Sequence, residues 1–228
     1  MHPDFEKNGY IIARNFFDET TIALLQTYFD LKYRVINYSD QNRIEAVRSH
    51  VQDGGDVATS FYFYSDFLTE SIQLNCGQKA SNLLKMRLSP TYTYARIYEK
   101  NNPLIPHVDR PSCEVSVTCP ISVSDNSPSI IYISNYSIDK KTQPNKLTYK
   151  EIEERGDYTE VSLLPGDVLF YRGCERYHWR RPLQCDSLTQ FFMHFVETDG
   201  IHKEWYFDKR PYSGFPTEYK INNVPIIV

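Results

Sequence analysis

The strongest chemical signal in this chain is a spacing. His107 and Asp109 stand two apart in the segment PHVD, and His178 comes much later, shortly after the apolar run DVLFYRG. At a strand end, side chains at i and i+2 point the same way, so one imidazole and one carboxylate can converge on a point. A second strand laid beside the first can bring another imidazole there. Two imidazoles and one carboxylate on one side of a first-row metal such as Fe(II) leave its other positions open for small reactants. The chain has only six histidines. His194 lies in FFMHFV, where alternation puts it on one face with Phe192. It reads as a core histidine or a group behind the ligands rather than as a fourth ligand. His2, His50 and His202 read as exposed. Glu114 reads either as a group that orients a ligand or as an edge charge. Cys113 and Cys119 read as small strand residues, since no activating base adjoins them.

The elements that must position these groups are mostly strands. The chain holds 18 Tyr, 13 Phe and 2 Trp, 14% of 228 residues, and aromatic side chains suit pleated, half-buried surface. From Pro90 onward, period-two alternation recurs in TYTYARIYE (91–99), EVSVTCPIS (114–122), PSIIYIS (128–134), TEVSLL (159–164), DVLFYRG (167–173) and TQFFMHFVE (189–197). Turn signals such as NNP, DNSP and PGD separate these runs, and short strands so spaced predict a sandwich or barrel. Upstream, residues 8–17 read as a short strand. Asp18 then stands where an N-cap belongs, and Ile22, Leu25 and Phe29 predict an amphipathic helix of about four turns. Residues 38–56 read as a mobile loop and 58–64 as a strand or packed loop. Ser65-Asp66 opens a second helix, which Gly77 is expected to interrupt. Residues 137–157 form a polar connection whose second part reads as a helix or a lid. The economical reading is one domain over 1–228: a helical N-terminal part (1–89) packed on a mainly β jelly-roll core (90–197), then a C-terminal extension (198–228).

With this order of elements the chain resembles the Fe(II)/2-oxoglutarate-dependent dioxygenases, in the broad prolyl-hydroxylase-like and phytanoyl-hydroxylase-like group. The resemblance is carried by YARIYEKNNPLIPHVDRPSCEVSVTCPIS, PGDVLFYRGCERYHWRRPL and TQFFMHFV, with GYIIARNFFDE entering the fold. It implies a double-stranded β-helix (jelly-roll, cupin-like) core. It also implies Fe(II) held by His107, Asp109 and His178, with 2-oxoglutarate as co-substrate next to Tyr98. The implied reaction uses O₂ to hydroxylate a small-molecule or peptidyl substrate, with release of succinate and CO₂.

The chain departs from that family at one point. Its members place an Arg or Lys on the last barrel strand to hold the far carboxylate of 2-oxoglutarate. Here the corresponding residues are Ser187, Leu188, Thr189 and Gln190, and none is basic. A buried dicarboxylate needs a cation or several donors. Arg180 lies two residues beyond His178 and can share its face. It is the favoured anchor, with Thr189 and Gln190 as helpers; Arg96, Arg110 and Arg181 are the alternatives. Two rival readings stand beside this one. A cupin-like metal enzyme would use the same triad without 2-oxoglutarate. A non-catalytic jelly-roll module would keep His107 and His178 as structural residues and bind carbohydrate or protein through its aromatic surface.

Composition bounds the rest. The formal charge is −4 and the pI is near 5.9, which lends nucleic-acid binding no electrostatic support. The five cysteines are odd in number and form no CxxC, so neither a disulfide framework nor a zinc ribbon is expected. The opening MHPDFEKNGY has no apolar signal-peptide core, and no run reaches the ~18 apolar residues of a membrane span. A reduced, cytoplasmic protein is the expectation, with substrate and oligomeric state left open.

Overall fold

Alternation along each strand decides which side of the molecule a side chain serves. A computed structural model of the chain describes residues 1–41, 60–139 and 141–215. Among the described residues, ten strands form two antiparallel sheets. The larger contains β1 (Tyr10–Ala13), β2 (Phe61–Tyr64), β3 (Leu88–Glu99), β5 (Val115–Val123), β8 (Val168–Tyr171) and β10 (Ser187–Glu197), in the order β1-β8-β5-β10-β3-β2. The smaller contains β4 (Leu104–His107), β6 (Ser129–Ser134), β7 (Tyr158–Leu163) and β9 (His178–Arg180), in the order β4-β9-β6-β7.

The two faces of the larger sheet have different partners. Ala95, Ile97, Val117, Phe191 and Met193 pack against Ile22, Leu25 and Phe29 of helix α2 (Glu19–Gln41) and Ala80 and Leu84 of helix α3 (Phe67–Leu84). The intervening positions of β3, Tyr92, Tyr94, Arg96 and Tyr98, stand opposite His194, Phe192, Gln190 and Leu188 of β10 and share the other face. That face looks across the barrel interior to the smaller sheet. The outer side of the smaller sheet carries Tyr132 and Trp179, covered by Ile138, Leu147 and Ile152 of the long connection and helix α4 (Tyr149–Arg155). Thr148 and Glu151 close a reciprocal capping box at the start of α4.

The structure differs from the sequence reading at several points. A short helix α1 (Pro3–Asn8) precedes β1, begun by Pro3 and stopped by Gly9 in the left-handed region (φ 76°). It is too short to show a period. Helix α2 runs on to Gln41 rather than ending after four turns; the rest of the proposed loop lies outside the described residues. Helix α3 continues through Gly77, where an added Cβ would meet nothing within 4 Å. Glycine costs a helix about 1 kcal/mol, and the packing of Ala80 and Leu84 outweighs that. Strands β4 and β9 are too short for alternation to reveal. The strand expected within 8–17 is β1, and the run 58–64 holds strand β2; together they form the two edges of the larger sheet.

Residues 198–215 are integral to the fold rather than an appendage. Residues Lys203–Lys209 form a kinked 3₁₀ stretch in which Phe207, Asp208 and Lys209 are successively left-handed (φ 47°, 55° and 63°). Such a run of non-glycine residues is strained and persists only where contacts impose it. Here Arg110 donates two hydrogen bonds to the fully buried Asp208 (2.6 and 2.9 Å), and the Tyr64 hydroxyl donates a third. Beside them Arg210 and Glu70 form a buried ion pair at 2.5 Å. No helix among the described residues is long and apolar enough to cross a membrane, and the five cysteines form no disulfide.

Candidate active site

The antiparallel register of β4 and β9 sets His107 directly opposite His178, with ring centroids 4.2 Å apart. Asp109 follows on the turn after β4, where its backbone N–H donates to the Gly173 carbonyl at 2.8 Å. The Oδ1 atom of Asp109 lies 3.5 Å from Nε2 of both histidines. Each ring is oriented by its own strand: Nδ1 of His107 meets the Ile105 carbonyl at 2.8 Å, and Nδ1 of His178 meets the Arg176 carbonyl at 3.1 Å. With Nδ1 donating, the Nε2 lone pairs face inward, the tautomer a metal ligand needs. Burial raises the Asp109 pKa, but when Nε2 of His178 and His107 carries a proton instead, their charge and hydrogen bonds hold it well below the usual carboxylate range; a metal would take that proton's place. Two neutral imidazole nitrogens and a carboxylate oxygen so gathered fit a divalent first-row metal.

The second carboxylate oxygen is occupied from behind. Ser116 Oγ donates to Asp109 Oδ2 at 2.8 Å and lies 3.0 Å from His194 Nδ1. With the hydroxyl proton spent on Asp109, His194 must donate from Nδ1. His194 is therefore a group behind the His107–Asp109–His178 set, neutral and packed at a tilt against the Tyr92 ring at 4.5 Å. Burial pushes its pKa down to about 4. The unfolded chain gains a proton here near pH 6.5 that the folded chain refuses until about pH 4. Stability should therefore fall as pH drops through that window, by up to about 1.4 kcal/mol per pH unit. A His194→Gln variant should be flatter over the same range in urea titrations.

Asp109, Cys113 and His194 also lie close enough to suggest a metal. Burial pushes the Cys113 thiol well above its ordinary pKa, whereas a metal needs the thiolate. The His107–Asp109–His178 set is the better donor group. Glu114 stands apart from it, accepting the Glu197 N–H at 2.8 Å.

The four arginines separate clearly. Arg180 shares the face of His178 and is 6% exposed. Its guanidinium carbon lies 3.8 Å from the centre of the buried Tyr98 ring, and its Nε and Nη2 have no hydrogen-bond partner among the described residues. A buried guanidinium with undischarged N–H groups is a site for an anion. Arg96 also faces the interior. Arg110 is committed to Asp208, and Arg181 sits outside the barrel against Glu153. Of the two helpers, Gln190 faces the interior and donates to Thr118 Oγ1 at 2.6 Å. Thr189 does not: it pairs with Ile97 and opens into a cleft of about 570 Å³ on the helical side, beside Gln26 and Tyr33. Strict alternation along β10 allows only one of these neighbours to reach the interior.

Two residues of the site escaped the sequence reading. Ser116 had a faint signal, a small polar residue between valines at an inward position. Gly173 had none; only the close approach of Asp109 and Ser116 explains it.

No family model matches the chain, and no curated protein sequence does. Solved structures do match in fold. One is the non-heme α-ketoglutarate-dependent carbocyclase SnoK from nogalamycin biosynthesis (TM-score 0.64, 11% identity, covering 86% of this chain and 82% of that one). Another is HygX from Streptomyces hygroscopicus with nickel, 2-oxoglutarate and hygromycin B bound (0.52, 14%, 83% and 84%). A third is a Pseudomonas putida prolyl-4-hydroxylase (0.54, 11%, 84% and 94%). The chain therefore has the double-stranded β-helix fold of the non-haem, 2-oxoglutarate-dependent enzymes.

Proposed function

We propose that this chain is an Fe(II)- and 2-oxoglutarate-dependent oxygenase that hydroxylates a small-molecule or peptidyl substrate. One observation carries the reading. The barrel that gathers His107, Asp109 and His178 also buries an arginine, Arg180, with two N–H groups unspent. A metal enzyme that used the triad alone would leave that cation without a purpose, and a binding module would need neither feature. When bound, iron and 2-oxoglutarate would activate O₂, the oxidant: one of its oxygen atoms would leave in succinate as CO₂ is released, and the other would enter the substrate.

The protein's own part is positioning. His107, Asp109 and His178 would hold the metal. Arg180, braced on Tyr98, would bind the far carboxylate of 2-oxoglutarate. Ser116 keeps one oxygen of Asp109 occupied, which favours a one-oxygen hold on the metal. The Tyr149 hydroxyl on α4 shares its proton between the Leu104 and Arg180 carbonyls (3.1 and 2.7 Å), locking the two ligand-bearing strands together. Tyr92, Tyr94 and Phe192 wall the interior and exclude water. The unbridged cysteines suit a reducing compartment, the cytoplasm.

Anaerobic addition of Fe(II) and 2-oxoglutarate should produce a visible absorption band. His178→Ala should lose both that band and succinate release. Arg180→Met should keep metal binding but need at least about ten-fold more 2-oxoglutarate, the loss of a charge-assisted pair. A folded wild-type protein that shows no band would sink the reading.

A further inference from the structure

We propose that Arg96 forms a second anion subsite, for the substrate rather than for 2-oxoglutarate, so that the substrate is a carboxylate or phosphate joined to a flat apolar group. This rests on the function proposed above. Arg96 is 7% exposed on the interior face of β3. Its Nη2 donates to the Tyr94 hydroxyl at 2.6 Å, and its Nε has no partner among the described residues. Among the described residues it forms no ion pair with a carboxylate. The rings of Tyr62, Tyr94 and Tyr98 surround it at 5.4 to 5.6 Å. Ring faces partly replace water around a cation, but a buried N–H without an acceptor still calls for one.

Position separates this guanidinium from Arg180. Along β3 the inward residues run from Tyr98, beside Arg180, through Arg96 and Tyr94 to Tyr92, which packs against His194 behind the proposed metal ligands. Arg96 thus lies between the co-substrate end of the barrel and the metal end. On its outer flank is Tyr62 of the edge strand β2, half-buried and stacked on Tyr94 at 5.3 Å. A bound 2-oxoglutarate has one far carboxylate, and Arg180 supplies a full guanidinium for it. A second arginine, on another strand and bordered by stacked rings at the sheet edge, is placed to receive a different anion. The stacked Tyr62–Tyr94 pair and Phe192 offer the flat surface for the body of that molecule.

The test is thermal unfolding of the Zn(II)-loaded protein at saturating 2-oxoglutarate. Matched probes are hydrocinnamate against hydrocinnamide, and phenyl phosphate against phenol. The wild type should be stabilised by an anion and not by its neutral counterpart. A larger shift from hydrocinnamate assigns a carboxylic acid, and one from phenyl phosphate assigns a phosphate ester. Arg96→Met should weaken the anion by about ten-fold or more while retaining the shift caused by 2-oxoglutarate, which Arg180→Met loses. Should Arg96→Met fail to fold, Arg96→Lys carries the test: it keeps the charge but not the planar grip, so the preference must shrink without vanishing. Equal binding of anion and neutral probe, or no binding of any, overturns the proposal. So does an Arg96 variant that loses 2-oxoglutarate as severely as Arg180→Met. If 2-oxoglutarate gives no shift while the anion preference persists and depends on Arg96, the co-substrate reading falls and the anion site stands.

Discussion

Gly173→Ala should abolish succinate release and weaken metal binding by about a hundred-fold or more, in a protein that still folds. A Cβ at residue 173 would come within 2.5 Å of three atoms: Asp109 Oδ2, Ser116 Oγ and the Cys113 carbonyl oxygen. The carbonyl is backbone and cannot swing aside, so the added methyl must drive out the carboxylate and the hydroxyl. Those are a proposed metal ligand and the group that holds it. Loss of one outer partner alone typically costs ten- to a hundred-fold in metal affinity, and here the ligand moves as well. The overpacking itself should cost about 1–3 kcal/mol, readable by urea denaturation. Metal titration followed by competition with a chelator measures the affinity. Gly77→Ala is the control: its Cβ meets nothing, so it should stabilise α3 by about 1 kcal/mol and leave metal binding alone. Wild-type metal affinity in Gly173→Ala would show that Asp109 is not a ligand.

Arg210→Ala should destabilise the protein by about 3–5 kcal/mol, because it strands a buried carboxylate. Arg210 and Glu70 are almost fully buried. The Arg210 guanidinium also donates to the carbonyls of Phe207, Phe215 and Thr91 at 2.7, 2.8 and 3.0 Å, and the Gly214 N–H donates to Glu70. Removing the arginine frees four acceptors at once and unpins the segment that carries Asp208. Asp208 in turn holds Arg110, the neighbour of Asp109, so metal affinity should fall along with stability. The exposed pair Arg87–Asp199 is the contrast: its side chains are 77% and 75% exposed, and Arg87→Ala should cost at most about 1 kcal/mol. Adding Glu70→Gln to Arg210→Met should recover much of the loss, since the stranded charge is then gone. Denaturant unfolding of the three variants decides it; an Arg210→Ala midpoint equal to that of Arg87→Ala would show the buried pair to be of no consequence.

Local chemistry was enough for a large part of this protein. Of the ten strands among the described residues, two-residue periodicity marked six outright, the short strand read at 8–17 held a seventh, and the aromatic run 58–64 held an eighth as an alternative. Periodicity works because a strand buried on one face must repeat its apolar residues at every second position. HxD spacing put His107 and Asp109 on one side of a strand end for the same reason, and Arg180 next to His178. What spacing could not supply was partnership across long separations. Arg110 and Arg180 are equivalent as residue types, each close in sequence to a proposed metal ligand. Only folding gives Arg110 to Asp208, nearly a hundred residues away, and leaves Arg180 with N–H groups to spare. Thr189 and Gln190 are neighbours, and the pleat sends them to opposite sides of the sheet. Ser116, Gly173 and the Glu70–Arg210 pair acquire their roles only when strands and helices distant in sequence close to within hydrogen-bond range. A side chain's type and its local direction are properties of the segment. Whether its charge is spent or spare depends on what the rest of the chain brings against it, and that is a property of the packed whole.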